Sequence, residues 1–169
     1  MSILVDSHWL HARLADPTLV VLDASVVLPS PAFDGDYRVS SGEEGWLQAH
    51  IPGSRHADLL TELTDIQASF SFALPTPETL VNVLARLGAG QGKTLVIYDR
   101  ADGFWAARLW WMLRSVGIDA SVLDGGFNAW RTAGLPEHSG PAEPIAPVQP
   151  WAIHPRQNLW IDRYGVEAI

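Results

Sequence analysis

The chain has 169 residues, 47% hydrophobic and 18% charged: enough for one globular domain of ordinary size with some residues left for a linker, and too apolar for a disordered segment. A net charge of −8 without any lysine-rich or arginine-rich run argues against nucleic-acid binding, which needs a basic surface to release counterions. There is no cysteine, which removes any disulfide framework or thiolate zinc site and agrees with a cytoplasmic location. The stretch from Met1 to Leu14 lacks a positive start and an uninterrupted apolar run, so it reads as neither signal peptide nor anchor. Arg108 interrupts the most apolar helical stretch well short of a membrane span.

In chain order, a helix is expected from Asp6 or Ser7, with Trp9, Leu10 and Leu14 on one side, and Leu19 to Leu22 reads as a buried strand. From Val27 to Ala49 prolines, glycines and acids break the periodicity, which predicts a long surface excursion closing in a short helix near Trp46. Ser54 to Ala57 is a weak second strand. Thr76 then caps a helix from Pro77 to Leu87, where Leu80, Val83, Leu84 and Leu87 recur at helical spacing and Gly88 stops it.

Thr94 to Tyr98 is apolar on both faces, the pattern of a central parallel strand. A helix is predicted from about Phe104 to Val116, with Leu109, Met112, Leu113 and Val116 inward and Gly117 at its end. Ser121 to Leu123 forms a short strand, and a helix near Asn128 to Thr132 carries Trp130. Strands alternating with helices predict an α/β fold, a mainly parallel sheet with helices on both faces.

After Leu135 six prolines punctuate an aperiodic stretch, the signature of an extended linker. The residues that follow contain an internal echo: Leu159-Trp160-Ile161-Asp162-Arg163-Tyr164-Gly165-Val166 repeats the pattern of Ile3-Leu4-Val5-Asp6-Ser7-His8-Trp9-Leu10. Three apolar residues precede an aspartate, a polar residue, a ring and another apolar position. The organisation this implies is a domain over 1–136, a linker over 137–158 and the start of a second copy over 159–169, in a fragment of a longer two-domain protein. Chance matching over eight positions is the competing explanation.

Four segments, in order, resemble the rhodanese superfamily of sulfurtransferases: Val20 to Ala24, His50-Ile51-Pro52-Gly53-Ser54, Leu95 to Tyr98 with the loop after it, and Val122-Leu123-Asp124-Gly125-Gly126-Phe127 through Trp130 to Pro136. The stretch Ala107 to Leu113 makes the resemblance nearest to the N-terminal half of tandem-domain thiosulfate and 3-mercaptopyruvate sulfurtransferases. It implies a five-stranded three-layer α/β/α domain. It also implies sulfur transfer by a longer parent that uses small sulfur-containing anions, no cofactor and no membrane or nucleic acid, with a second rhodanese domain as this one's partner.

In that family the loop after the central strand holds a nucleophilic cysteine in a cradle of inward-pointing amides at a helix N-terminus, which binds anions and lowers the thiol's pKa. Here the loop runs Asp99-Arg100-Ala101-Asp102-Gly103-Phe104, with Asp99 at the cysteine position. The resemblance therefore implies a vestigial loop without a catalytic residue. An ionised Asp99 would occupy the cradle as a tethered anion and oppose thiosulfate by up to about 4 kcal/mol at contact near a surface. The family places a glycine three residues after the cysteine; here that position is Asp102 and the glycine comes one later. That shift predicts a reshaped loop whose amides no longer converge on a single sulfur.

Other residues admit a functional and a plain reading. Asp99, Asp102 and Asp124 could gather magnesium, against simple loop capping and turn formation. His8 and His11 could begin a zinc site but show no third ligand. His50 and His56 could supply a base, against a structural turn. Trp105, Trp110 and Trp111 are spread around one helix and cannot all face one core, so at least one lies at an exposed or partner-covered surface, while plain core packing accounts for the other two. Gly125-Gly126 lacks the rest of a phosphate loop and reads as a tight turn. The alternative to a silent half of a sulfurtransferase is a stand-alone inactive rhodanese module that binds a protein or an anion and regulates it. A hydrolase using Asp99 as nucleophile would need a base or metal that the loop does not show.

Overall fold

The computed structural model describes residues 2–168. Its main sheet has five strands in the order β1-β7-β6-β2-β5, and all four pairings are parallel. They are β1 (Leu4–Val5), β2 (Leu19–Asp23), β5 (Arg55–His56), β6 (Thr94–Tyr98) and β7 (Ser121–Leu123). The expected five-stranded α/β fold is present. The central pairing is the longest, running from Leu19 opposite Thr94 to Asp23 opposite Tyr98. That register brings the carboxyl ends of β2 and β6 level, with Asp23 opposite Tyr98, the residue before Asp99.

Alternation along β2 and β6 sends side chains to two separate cores. On one face Leu22, Leu95 and Ile97 pack under α3 (Pro77–Arg86) and α4 (Phe104–Ser115). On the other, Val21, Val96 and Tyr98 meet Leu10 of α1 (Ser7–His11) and Phe127 and Trp130 of α5 (Gly126–Thr132). Helix α3 forms as its sequence predicts: the Thr76 hydroxyl accepts the Thr79 amide at 3.1 Å, Pro77 starts the first turn, and Gly88 closes the end at φ 84°. Leu80, Val81, Val83 and Leu84 are buried. Truncating the fully buried Leu84 to alanine would cost about 2–5 kcal/mol.

Three features differ from the sequence expectation. Leu4–Val5 is an edge strand, too short to show periodicity. The excursion after Val27 contains a small antiparallel hairpin, β3 (Val26–Val27) with β4 (Ser40–Ser41), before α2 (Glu43–Gln48). Serine is a poor strand signal; contact with Ser25 closes the hairpin, since the Gly42 amide reaches the Ser25 carbonyl at 3.1 Å and a Cβ on Gly42 would collide with it. Helix α5 begins at Gly126, two residues before its predicted start.

The proline-rich stretch is without helix or strand and lies bound along the domain. Val148 donates to Ala85 at 3.1 Å, Gln91 to Gln149 at 2.9 Å, and His154 and Arg156 to Val116 and Ser115 at 2.8 Å. Trp151 and Ile153 add apolar contact to the core under α3 and α4. Beyond it, Asp162 caps α6 (Arg163–Glu167) through a 2.7 Å bond from the Gly165 amide, as Asp6 caps α1 through a 2.7 Å bond from Trp9. The two echoing segments therefore share one capping geometry. Only the first contributes a strand to the sheet.

Candidate functional site

The central strand ends at Tyr98, and the chain turns under Asp99 before entering α4. Gly103 makes that entry at φ 89°, in the left-handed region open to glycine. The Asp99 side chain, 1% exposed, fills the turn. Its Oδ1 accepts the amides of Ala101 at 3.0 Å and Gly103 at 3.2 Å, and its Oδ2 accepts those of Trp105 and Ala106, both at 3.0 Å. Four amides thus converge on one carboxylate. They meet two oxygen atoms, two amides on each, and Gly103 with its positive φ lets the loop close around the carboxylate. The Asp99 carbonyl in turn accepts the Phe127 amide at 2.9 Å, tying the loop to α5.

Arg100 points away from this space. Its Nε meets Asp23 Oδ2 at 3.1 Å, Nη2 donates to the Ala49 carbonyl, and the guanidinium lies 4.1 Å from the centre of the Phe127 ring. Asp23 is fully buried, so this ion pair replaces the solvation that both groups lose. Beside it the Tyr98 hydroxyl bonds Ser54 Oγ at 3.1 Å, and Ser54 accepts the Trp46 indole N–H at 3.1 Å. Burial, reinforced by the Asp23 charge, pushes the Tyr98 phenol far above its usual range.

A cavity of about 670 Å³ opens over the loop. Asp99, Asp102, Asp124, Asn128 and the Gly125–Gly126 turn are among its lining residues, with Ile3, Leu4, Ala107, Trp110 and Val122 as apolar ones. Sequence reasoning missed the contribution of Ile3 and Leu4, and also the Asp23–Arg100 pair. Residues 77 positions apart give no local signal.

The remaining candidates separate. Asp99, Asp102 and Asp124 share the cavity, yet among the described residues no group of three or more histidine or acidic side chains could hold a metal ion. The same holds for His8 and His11; the His11 ring lies edge-on to Trp130 at 5.8 Å. His50 stacks on Trp46 at 4.5 Å and bonds the Trp46 carbonyl through Nδ1 at 2.7 Å, so it holds a turn together. His56 Nε2 lies 3.1 Å from Ser41 Oγ, and its buried Nδ1 lies 4.0 Å from Asp23 without a hydrogen-bond partner. Neither histidine lines the cavity. Gly125 and Gly126 both have positive φ, as a tight turn requires. Trp105 and Trp110 pack against the core, while Trp111 donates to the Leu159 carbonyl at 3.0 Å: the chain's own C-terminal segment covers it.

Comparison with known proteins places this geometry in context. A family model described as a rhodanese-like domain matches residues 6–133. The chain is 34% identical over 140 residues to the 3-mercaptopyruvate sulfurtransferase of Escherichia coli K12, covering 82% of this chain and 47% of that protein. It is 35% identical over 153 residues to the human 3-mercaptopyruvate sulfurtransferase, covering 86% and 48%, and 32% identical over 148 residues to the thiosulfate sulfurtransferase of Bos taurus, covering 83% and 47%. The chain thus spans about half the length of these relatives. Among solved structures it superposes on a 3-mercaptopyruvate sulfotransferase from Escherichia coli with a TM-score of 0.74 at 30% identity, covering 92% of this chain and 58% of that one. It also superposes on the sulfur transferase subunit associated with yeast mitochondrial complex I with a TM-score of 0.82 at 26% identity, covering 99% and 57%.

Proposed function

The chain belongs to the rhodanese-like family, and from that premise we propose that it is the N-terminal, non-catalytic half of a tandem-domain sulfurtransferase. The parent would move sulfane sulfur from thiosulfate or 3-mercaptopyruvate to a thiophilic acceptor such as cyanide. The observation that carries this reading is the Asp99 carboxylate seated on four amides in a chain with no cysteine. Sulfur transfer needs a thiolate that attacks the outer sulfur of the donor, expels sulfite or pyruvate, and holds the sulfur as a persulfide until the acceptor removes it. A carboxylate oxygen forms no such store, and its charge repels an anionic donor. The match to about half the length of the 3-mercaptopyruvate sulfurtransferases and the echo at Leu159 to Val166 support a second repeat that supplies the thiol. This domain would then shape and stabilise the space between the two.

Two measurements test the reading. Purified chain mixed with thiosulfate and cyanide is expected to give thiocyanate at the uncatalysed rate; saturable turnover at neutral pH would overturn the silent assignment. The encoding gene, read onward past the codon for Ile169, is expected to specify a further rhodanese repeat with a cysteine directly after its central strand. A stop codon there would leave the regulatory module as the better account.

A further inference from the structure

The cavity over α4 carries a charge opposite to the one that its backbone architecture suits. A helix N-terminus with four convergent amides attracts anions, yet all four are bonded to Asp99. Each carboxylate oxygen receives two hydrogens, which fills its acceptor positions. Asp99 is therefore a fixed negative charge in the wall and presents no free lone pair to a ligand. Asp102 and Asp124 line the same space, are exposed, and among the described residues take part in no side-chain hydrogen bond or ion pair. No lysine, arginine or histidine lines it, and the one cation of the loop, Arg100, is turned inward to Asp23.

The cavity itself points to an organic occupant. Its volume, about 670 Å³, lies in the range of small-molecule sites, and Ile3, Leu4, Ala107, Trp110 and Val122 give it walls for an apolar body. The carboxylates are not gathered as metal ligands. Negative groups beside a largely apolar space suit a cation whose charge sits at one end of a hydrocarbon frame. The geometry points to a binding site for a small organic cation, a primary ammonium or guanidinium on an apolar stem, in the cavity beside Asp99. The inference rests on the reading of Asp99 as a tethered anion in a non-catalytic site.

The test uses the whole chain, ¹⁵N-labelled, titrated with three probes of matched shape: benzylammonium, benzyl alcohol and benzoate. Benzylammonium is expected to shift the amides of Gly103, Asp124 and Gly125, to bind about tenfold more tightly than benzyl alcohol at low salt, and to lose that advantage in 0.5 M salt at roughly a 4 Å screening length. Benzoate is expected not to bind. The double variant Asp102→Asn/Asp124→Asn, at two exposed positions that leave the fold intact, should erase the preference for benzylammonium while leaving benzyl alcohol binding unchanged. Equal binding of benzoate, shifts confined to another part of the chain, absence of binding by all three probes, or a preference that survives the double variant would each overturn the inference. Thiocyanate production is measured on the same sample. Turnover there would overturn the non-catalytic reading, whereas a failed benzylammonium titration without turnover would overturn only the cation site.

Discussion

The Oδ2 of Asp99 accepts the backbone amide of Ala106 at 3.0 Å, across seven residues of chain. A side chain at the end of the central strand thereby caps the helix that begins after the following turn. Gly103, at the formal cap position of α4, has no side chain to do so, and the first turn of a helix always leaves amides without intrahelical partners. Asp99 thus serves as the structural cap of α4.

Asp99→Ala should therefore destabilise the domain by about 3 kcal/mol, since four amides in a largely buried turn lose a charged acceptor and water restores only some of the bonds. Asp99→Asn should recover only part of the loss, because its amide nitrogen would face two N–H donors. Urea denaturation at neutral pH measures both, and a loss below about 1 kcal/mol for the alanine variant would show that the carboxylate is a passenger in the loop.

Two glycines of the site separate conformation from crowding. At Gly103 φ is 89° and nothing lies within 4 Å of an added Cβ; at Gly126 φ is 55° and the Cβ would sit 2.5 Å from the Asp99 carbonyl oxygen. Gly103→Ala should cost about 1 kcal/mol for the left-handed backbone alone. Gly126→Ala adds the steric conflict and should cost about 3 kcal/mol or more. Thermal melts of the two variants rank them, and equal losses would mean that the Gly126 turn relaxes freely.

Much of this fold is legible in the sequence because its strongest signals are local. The cap at Thr76, the periodicity of Leu80, Val83, Leu84 and Leu87, and the two-faced apolar run of Thr94 to Tyr98 each describe an element within a dozen residues. The hairpin of Val26–Val27 with Ser40–Ser41 was hidden because contact with Ser25 and Gly42, rather than strand propensity, holds it. At the site, the sequence marks Asp99 and its loop, yet the convergence of four amides depends on where Gly103 takes its positive φ. The Arg100 guanidinium turns inward because Asp23 and Phe127 meet it from distant parts of the chain.

Tyr98 supplies a prediction in alkali. Its phenol is held far above the usual value near 10 by burial. In the unfolded chain it ionises near that value. The folded state therefore keeps its full advantage below about pH 10 and loses it progressively as pH rises beyond. Difference absorbance between the protein and Tyr98→Phe should show no ionisation of Tyr98 until the chain unfolds, and the variant should resist alkaline unfolding better while losing about 1 kcal/mol at neutral pH from the Ser54 bond. A reversible ionisation of Tyr98 in the folded protein near pH 10 would contradict the buried geometry.

A thiol introduced at position 99 asks whether the cradle or its surroundings stands in the way of chemistry. Asp99→Cys would place a sulfur among the amides of Ala101, Gly103, Trp105 and Ala106, and amides at a helix N-terminus favour the thiolate, so its pKa should fall below the ordinary value near 8.5. The pH dependence of alkylation by iodoacetamide measures this directly. Loading is a separate step: the thiolate attacks the outer sulfur of thiosulfate, sulfite leaves, and the protein gains one sulfur atom that cyanide removes as thiocyanate. The exposed carboxylates of Asp102 and Asp124 line the approach and repel the doubly charged donor. The single variant should thus be reactive toward iodoacetamide yet load sulfur poorly. Adding Asp102→Asn and Asp124→Asn should speed loading by about tenfold or more, read as intact mass against time. A thiol that titrates at or above the ordinary value would mean that the amides serve only the carboxylate; rapid, stoichiometric loading of the single variant would mean that the rim charges do not guard the site.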